Sequence, residues 1–283
     1  MKKRFEIPPK FENQVILSQI TQAEAIEYGV EHWRRNRNQN HCMGTLYWQL
    51  NDCWPVASWS SLDYYGRWKA LHYYAKRFYH PIFPSVKEDN KSVEFWVSND
   101  LQIAKNLQFE WKILKSDGRV VKNGLYELNI RPCSSKKLSI IDVSDLHRIN
   151  NNLTNFIIFY TLKLTNLEGE QEFHGFRLFS APKKFPLENP NISWELNEYF
   201  CEESDEKEYE LKLSTTHIAL YVHLDSNKFD FIASDNFFSL APGETRVITI
   251  KNLGLIYSSE PAYRGIKKED FSVKSLYDLL ENS

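Results

Sequence analysis

Between Gly44 and Phe78 the chain reads GTLYWQLNDCWPVASWSSLDYYGRWKALHYYAKRF, and this stretch holds four of its eight tryptophans, Trp48, Trp54, Trp59 and Trp68. A run of tyrosines and the pair Asn51-Asp52 stand among them. Exposing so many rings is unfavourable unless they pack or bind something. Indole and phenol suit sugars: a flat apolar face meets the C–H face of a pyranose, and a polar edge hydrogen-bonds a hydroxyl. Asn51 and Asp52 can bond sugar hydroxyls or orient neighbours, with turn chemistry at a strand end as the equal alternative. Trp54 and Trp59 can wall a pocket or simply pack. Asp63 reads as a helix N-terminal cap, and His72 as a structural residue of the helix that follows. Carbohydrate is the ligand class these residues suggest first.

These side chains need elements to hold them. Ile16, Ile20, Ala23, Ile26 or Glu27, Val30 and Trp33 recur at three- and four-residue steps, which predicts a helix over residues 15–37. Its basic end, Arg34, Arg35 and Arg37, suits the negative end of a helix dipole. Glu12, Glu24, Glu27 and Glu31 fall before or on this helix and read as a solvated face. Met43 to Leu50 is a short apolar run bounded by Gly44 and Asn51-Asp52, the pattern of a strand buried on both faces. On such a strand Asp52 shares parity with Trp48 and Asn51 does not. Trp68, Leu71, Ala75 and Phe78 mark a second helix. One strand between two helices cannot make a sheet, so residues 1–80 look like the edge of a larger α/β domain.

Beyond Pro81 the period changes to two. Val93/Phe95/Val97, Leu107/Phe109/Trp111/Ile113, Leu138/Ile140 and Phe156/Ile158/Tyr160/Leu162/Leu164 alternate with polar residues as half-buried strands do. Asp117-Gly118 and Glu168-Gly169 are turn signals, and Phe173–Phe179 is a further strand. About seven short strands over residues 81–185 predict an immunoglobulin-like sandwich, with Trp96 and Trp111 as packing residues. The proline-bearing stretch APKKFPLENPN reads as a linker. A second all-β block over residues 186–283 alternates at Tyr209/Leu211/Leu213 and Ile218/Leu220/Val222/Leu224, turns at Ala241-Pro-Gly-Glu244 and ends in a short helix near Leu280.

Composition narrows the classes. The net charge of −2, with no basic cluster interleaved with aromatics, argues against nucleic acid as a partner. No apolar run approaches the ~20 residues of a membrane span, and the Lys-rich start lacks the apolar core of a signal peptide. Cys42, Cys53, Cys133 and Cys201 show neither metal-ligand spacing nor the density of a disulfide scaffold.

The string YWQLNDCWPVASWSSLDYYGRWKALHYYAKRF resembles the end of the catalytic barrel of the β-mannosidases of glycoside hydrolase family 2. QAEAIEYGVEHWRR is similar to the barrel helix before it, FDFIASDNFFSLAPGETR to the last sandwich domain, and VKSLYDLL to the C-terminal end. The resemblance implies a multidomain, mainly β chain: the C-terminal edge of an (α/β)₈ barrel over residues 1–80, then two immunoglobulin-like sandwiches over 81–185 and 186–283. It implies a retaining exo-glycosidase acting on terminal β-mannosides through two glutamates, with no metal or nucleotide cofactor. One glutamate belongs to an Asn-Glu motif and the other to a Ser-Glu-Phe/Tyr-Gly motif, and the barrel-like segment holds neither. The chain is therefore expected to lie downstream of both, to be inactive alone, and to have the N-terminal part of the enzyme as its partner. By the same resemblance Trp48 is the platform under the mannose ring, with Asn51, Asp52, Trp54 and Trp59 around it. A carbohydrate-binding accessory module, or a fragment complementing a separate N-terminal chain, are the rival readings.

Overall fold

Alternation at period two leaves each strand one apolar and one polar face, and strands of that kind fold as half-buried antiparallel sheets. The computed structural model of the chain describes residues 1–149, 153–166, 169–201, 206–253 and 266–281. It divides into two compact units, Met1–Glu6, Glu24–Leu46 and Ala75–Leu187 in the first, Ile7–Ala23, Tyr47–Tyr74 and Glu188–Ser283 in the second. The division falls inside both long helices, α1 (Phe11–Arg35) and α3 (Ala70–Phe78), with the single turn α2 (Arg37–Asn40) between them.

The first unit contains seven described strands in two antiparallel sheets. β1 (Ile82–Glu88), β2 (Ser92–Asn99) and β5 (Ser134–Asp142) pair in the order β1-β2-β5. β3 (Lys105–Lys115), β4 (Val120–Ile130), β6 (Phe156–Asn166) and β7 (Gly169–Leu178) pair in the order β4-β3-β6-β7. A helical turn, α4 (Leu146–Ile149), precedes β6. Val93, Phe95 and Val97 from one sheet and Leu107, Phe109, Trp111, Ile158, Tyr160 and Leu162 from the other form one buried cluster. Its centre is aromatic: Phe95 lies 5.0 Å from Trp111 and 5.3 Å from Phe109, and Phe109 stacks on Tyr160 at 5.9 Å between centroids. Two of these rings lie across glycines on neighbouring strands. A Cβ on Gly124 would stand 2.7 Å from Trp111, and one on Gly175 would stand 2.2 Å from Tyr160. Only glycine leaves that room. The Asp117-Gly118 turn forms as the sequence predicts, with Lys115 N–H donating to the Arg119 carbonyl. Glu168, half of the other predicted turn, lies outside the described residues.

The C-terminal half of α1 belongs to this unit and is tied by charge. Glu31 is fully buried and takes Arg35 at 3.2 Å and Arg177 of β7, which also reaches Glu27 at 3.2 Å. Burial pushes the Glu31 carboxyl up, against the pull of Arg177 and Arg35. The solvated-face reading of the early glutamates is thus wrong for Glu31. Glu24 is also engaged, by Arg4 at 2.6 Å. Nothing local reveals this, because Arg177 stands 146 residues away from Glu31 in sequence. Trp33, assigned by period to the apolar stripe, is 44% exposed, and the buried positions in this half of the helix are Val30, Glu31, Arg34 and Arg35. Arg34 donates to the carbonyls of Phe78 and His80, satisfying the end of α3.

The second unit repeats the strand grammar with shorter pieces. β8 (Ser193–Cys201), β9 (Glu206–Ser214), β11 (Asp230–Ala233) and β13 (Thr245–Leu253) pair in the order β11-β13-β9-β8. β10 (Ala219–Ser226), β12 (Phe238–Leu240) and β14 (Phe271–Lys274) pair as β12-β10-β14, and the chain ends in α5 (Leu276–Glu281). Asn236 bonds both backbone groups of Leu224, which locks Ser234-Asp235-Asn236 as turn structure.

Met43 to Leu50 is not a buried strand. It forms no ladder among the described residues and bends at Trp48 and Leu50, and Met43, Leu46, Trp48 and Leu50 are exposed. An apolar run becomes a buried strand only when neighbours pair with its edges and cover its faces.

Candidate functional site

The site residues lie in the second unit, on the stretch from Tyr47 to Lys69. The chain leaves the apolar run at Leu50, loops out and returns at Leu62. Leu50's carbonyl accepts from both Ser61 N–H (3.1 Å) and Leu62 N–H (2.8 Å), and Asn51 bridges Leu62 in parallel fashion. A loop with its ends joined this way is an Ω-type loop. Lys69 N–H then donates to the Ser61 carbonyl, and α3 starts at Ala70. The cap of α3 comes from Gln19, whose Oε1 accepts Ala70 N–H at 3.0 Å. Asp63, predicted as that cap, instead accepts from the backbone of Tyr65 and Arg67 and from Arg67 Nε, closing a tight local turn.

The loop is polar inside. Asp52 is only 5% exposed, and Ser60 and Ser61 are fully buried. Ser58 Oγ donates to Asp52 Oδ1 at 2.5 Å and Ser60 Oγ to Oδ2 at 2.6 Å. Lys69 Nζ lies 3.3 Å from Oδ2 and 2.8 Å from Ser60 Oγ. The two serine hydroxyls hold the Asp52 carboxyl below the usual carboxylate range. A second cluster closes the neck: Ser61 Oγ lies 2.8 Å from Tyr47 Oη, 2.9 Å from the Leu50 carbonyl and 3.0 Å from His72 Nδ1. Burial lowers the His72 pKa. Gln22 Nε2 donates to the Trp59 carbonyl at 2.7 Å.

The loop is aromatic outside. Trp48, Trp54 and Trp59 are 76%, 62% and 59% exposed. Asn51 is exposed as well, its amide nitrogen 3.2 Å from the Asp52 carbonyl. Exposure alternates from Thr45 to Leu50 and then breaks, so Asn51 is exposed like Trp48 while Asp52 is enclosed. Of the five predicted site residues, four thus present their side chains to solvent and one is enclosed. Sequence reasoning missed Ser58, Ser60 and Lys69. The signal available was the Ser58-Trp59-Ser60-Ser61 run, small hydroxyls alternating with an indole. The exposed indoles can take the apolar face of a ring while the exposed Asn51 amide hydrogen-bonds its edge. Among the described residues no His, Cys, Asp or Glu group is arranged to hold a metal ion, and no helix is long and apolar enough to cross a membrane.

Comparison with known proteins bears on the chain as a whole. A family model described as a mannosidase Ig/CBM-like domain matches residues 91–183, and one described as an Ig-fold domain of mannosidases matches residues 187–279. The β-mannosidase of Rattus norvegicus is 28% identical over 97% of this chain and 32% of its own length, and that of Capra hircus is 43% identical over 32% of the chain. Among solved structures, a β-D-mannosidase from Dictyoglomus thermophilum superposes with a TM-score of 0.76 at 24% identity, over 97% of this chain and 31% of that one. An exo-chitosanase from Amycolatopsis orientalis gives 0.74 at 19% identity, over 97% and 35%. Fold and sequence together define the C-terminal region of a multidomain glycoside hydrolase, mainly β, with immunoglobulin-like domains. The family is that of the β-mannosidases of glycoside hydrolase family 2, and the chain corresponds to their C-terminal part. It spans about a third of the length of the curated relatives it matches from end to end.

Proposed function

We propose that this chain supplies the strand-eight aromatic wall of the sugar site in a retaining exo-β-mannosidase that hydrolyses terminal β-D-mannosides. The observation that carries the reading is the inverted polarity of the stretch from Trp48 to Ser61: three indoles outside, a carboxylate and two serines inside. Chain segments left to fold for stability alone do the opposite, since burying a carboxylate is unfavourable and burying an indole is favourable. In this reading Trp48 is the platform under the mannose ring, Trp54 and Trp59 wall the pocket, and Asn51 and Asp52 serve hydroxyl binding and orientation. Residues 1–80 form the end of the barrel, with sandwich domains over 81–185 and 186–283.

The two catalytic glutamates, a general acid/base and a nucleophile ~5–5.5 Å apart in retaining enzymes, belong in this reading to the N-terminal remainder of the enzyme. The chain's one Asn-Glu pair, Asn197-Glu198, sits in strand β8, remote in role from any barrel strand end. The chain alone is then inactive. The test is hydrolysis of a chromogenic β-mannoside by the purified chain, with and without an N-terminal partner carrying both glutamates. Activity only on mixing is expected; turnover by the chain alone would place the catalytic carboxylates within it and overturn this assignment.

A further inference from the structure

The loop between Leu50 and Leu62 has no apolar core of its own. Every residue from Cys53 to Ala57 is exposed, as is Trp59, and the buried ones are Asp52, Ser60 and Ser61. Hydrophobic burial therefore cannot set the loop's shape, because there is almost none to gain. Hydrogen bonds must set it, and they converge on one group. The two oxygens of Asp52 take Ser58 and Ser60, the residues on either side of Trp59. Ser60 N–H also donates to Ser58 Oγ at 3.0 Å, and Gln22 holds the carbonyl of Trp59 itself. Trp59 is thus pinned through its own peptide and both neighbours. Trp54 follows Asp52 by two residues, so the same carboxylate anchors the start of the arm that carries it. Lys69 supplies the opposite charge that makes an enclosed carboxylate tolerable, and its backbone is already fixed by Ser61.

The geometry points to Asp52 as a positioning residue: with Ser58, Ser60 and Lys69 it sets the placement of Trp54 and Trp59, and through them the fit of the sugar ring, rather than bonding the sugar itself. This rests on the reading of the tryptophans as a sugar site. Three of the roughly four acceptor positions of a carboxylate are already occupied by Ser58, Ser60 and Lys69. A direct ligand would keep such positions open towards the ring.

The test uses the whole chain with mannobiose as probe, followed by saturation-transfer NMR and by acrylamide quenching of tryptophan fluorescence. The double substitution Ser58→Ala and Ser60→Ala removes both donors without touching an indole. It should weaken mannobiose binding by about fivefold, the loss of roughly one ring contact, and change the quenching of the exposed indoles. Ser58→Thr with Ser60→Thr keeps the hydroxyls and should restore binding, which a mere requirement for small side chains would not allow. Asp52→Asn should mimic the alanine pair. If the wild-type chain binds and the alanine pair binds equally well, the positioning role is wrong while the sugar site stands. If the wild-type chain gives no saturation transfer, the sugar-site reading falls and this role falls with it.

Discussion

In the sandwich between Ile82 and Leu178, Phe95, Phe109, Trp111 and Tyr160 are enclosed, while Glu110 and Lys112 of the same strand β3 face outward and pair with each other at 2.8 Å. In the loop between Leu50 and Leu62, Asp52, Ser60 and Ser61 are enclosed and Trp54 and Trp59 face outward. The first region takes its shape from apolar burial, each enclosed aromatic contributing about 1.5–3 kcal/mol, and uses backbone ladders to satisfy what that burial covers. The second takes its shape from side-chain hydrogen bonds and leaves its apolar surface unspent. A protein can therefore carry the same residue type, tryptophan, as structure in one place and as a binding surface in another. What distinguishes the two is which groups lie underneath. Trp111 stacks on Phe95; Trp59 stands between two serines whose hydroxyls bond a carboxylate.

The largest test of that contrast is Phe109→Ala. Phe109 is fully buried between Phe95 and Tyr160, and its loss leaves a cavity that strands β3 and β6 cannot collapse. A destabilisation of about 3–5 kcal/mol is expected, read from urea unfolding followed by far-ultraviolet circular dichroism. A value below about 1 kcal/mol would mean that the sandwich is not held by its aromatic centre, and the contrast would collapse.

The next test sharpens it with an exception. His223 lies on β10 in the second unit, 3% exposed, and its Nδ1 has no hydrogen-bond partner. Burial depresses its pKa to about 4, with Asp225 raising it and Lys274 lowering it by smaller amounts. The folded state thus holds this imidazole neutral while the unfolded chain takes up a proton below the ordinary value of 6.5. More protons bound by the unfolded state means stability that rises with pH. The contribution is complete above pH 6.5 and declines as pH falls from 6.5 towards 4, by up to about 3 kcal/mol for a shift of this size. His223→Leu should flatten that part of the profile, and the difference between the two urea-unfolding profiles isolates it. An unchanged slope would show that His223 finds a partner or water. Here a polar group is buried without partners; Asp52, buried with three, is the opposite solution to the same cost.

The same contrast decides what could be read from the sequence. The strands of both sandwiches were legible because a half-buried strand writes its two faces into alternate residues, as at Leu107/Phe109/Trp111/Ile113. The long helix was legible by period, but its end was misread: Glu31 looks like any charged helix position until Arg177 arrives from β7. Met43–Leu50 was misread for a different reason. An apolar run signals cover without saying where the cover is, so exposed Leu46 and Trp48 look like buried ones. The exposed tryptophans and Asn51-Asp52, on which the proposed sugar site rests, stand out by residue type alone. Ser58, Ser60 and Lys69 do not, since small hydroxyls and a lysine are ordinary loop residues unless their common target is known.

Trp54→Ala carries the smallest expected effect on stability and the most direct bearing on function. The indole is 62% exposed and sits on an arm in which no neighbouring side chain from Cys53 to Ala57 is buried. Its removal opens no cavity and orphans no enclosed polar group, so the unfolding free energy should move by no more than about 0.5 kcal/mol. Mannobiose binding, in contrast, should weaken by about two- to tenfold, the worth of one aromatic contact, measured by the same saturation-transfer titration. The two numbers have to be taken on one sample, because only their ratio separates the alternatives. A stability loss approaching that of Phe109→Ala would make Trp54 a packing residue and return the loop to the same rule as the sandwich. Unchanged stability with unchanged binding would leave an indole in water with no compensating role, and the inverted polarity of the loop would then need a different ligand. Unchanged stability with weakened binding is the outcome in which the loop's interior holds the shape and its exterior does the recognition.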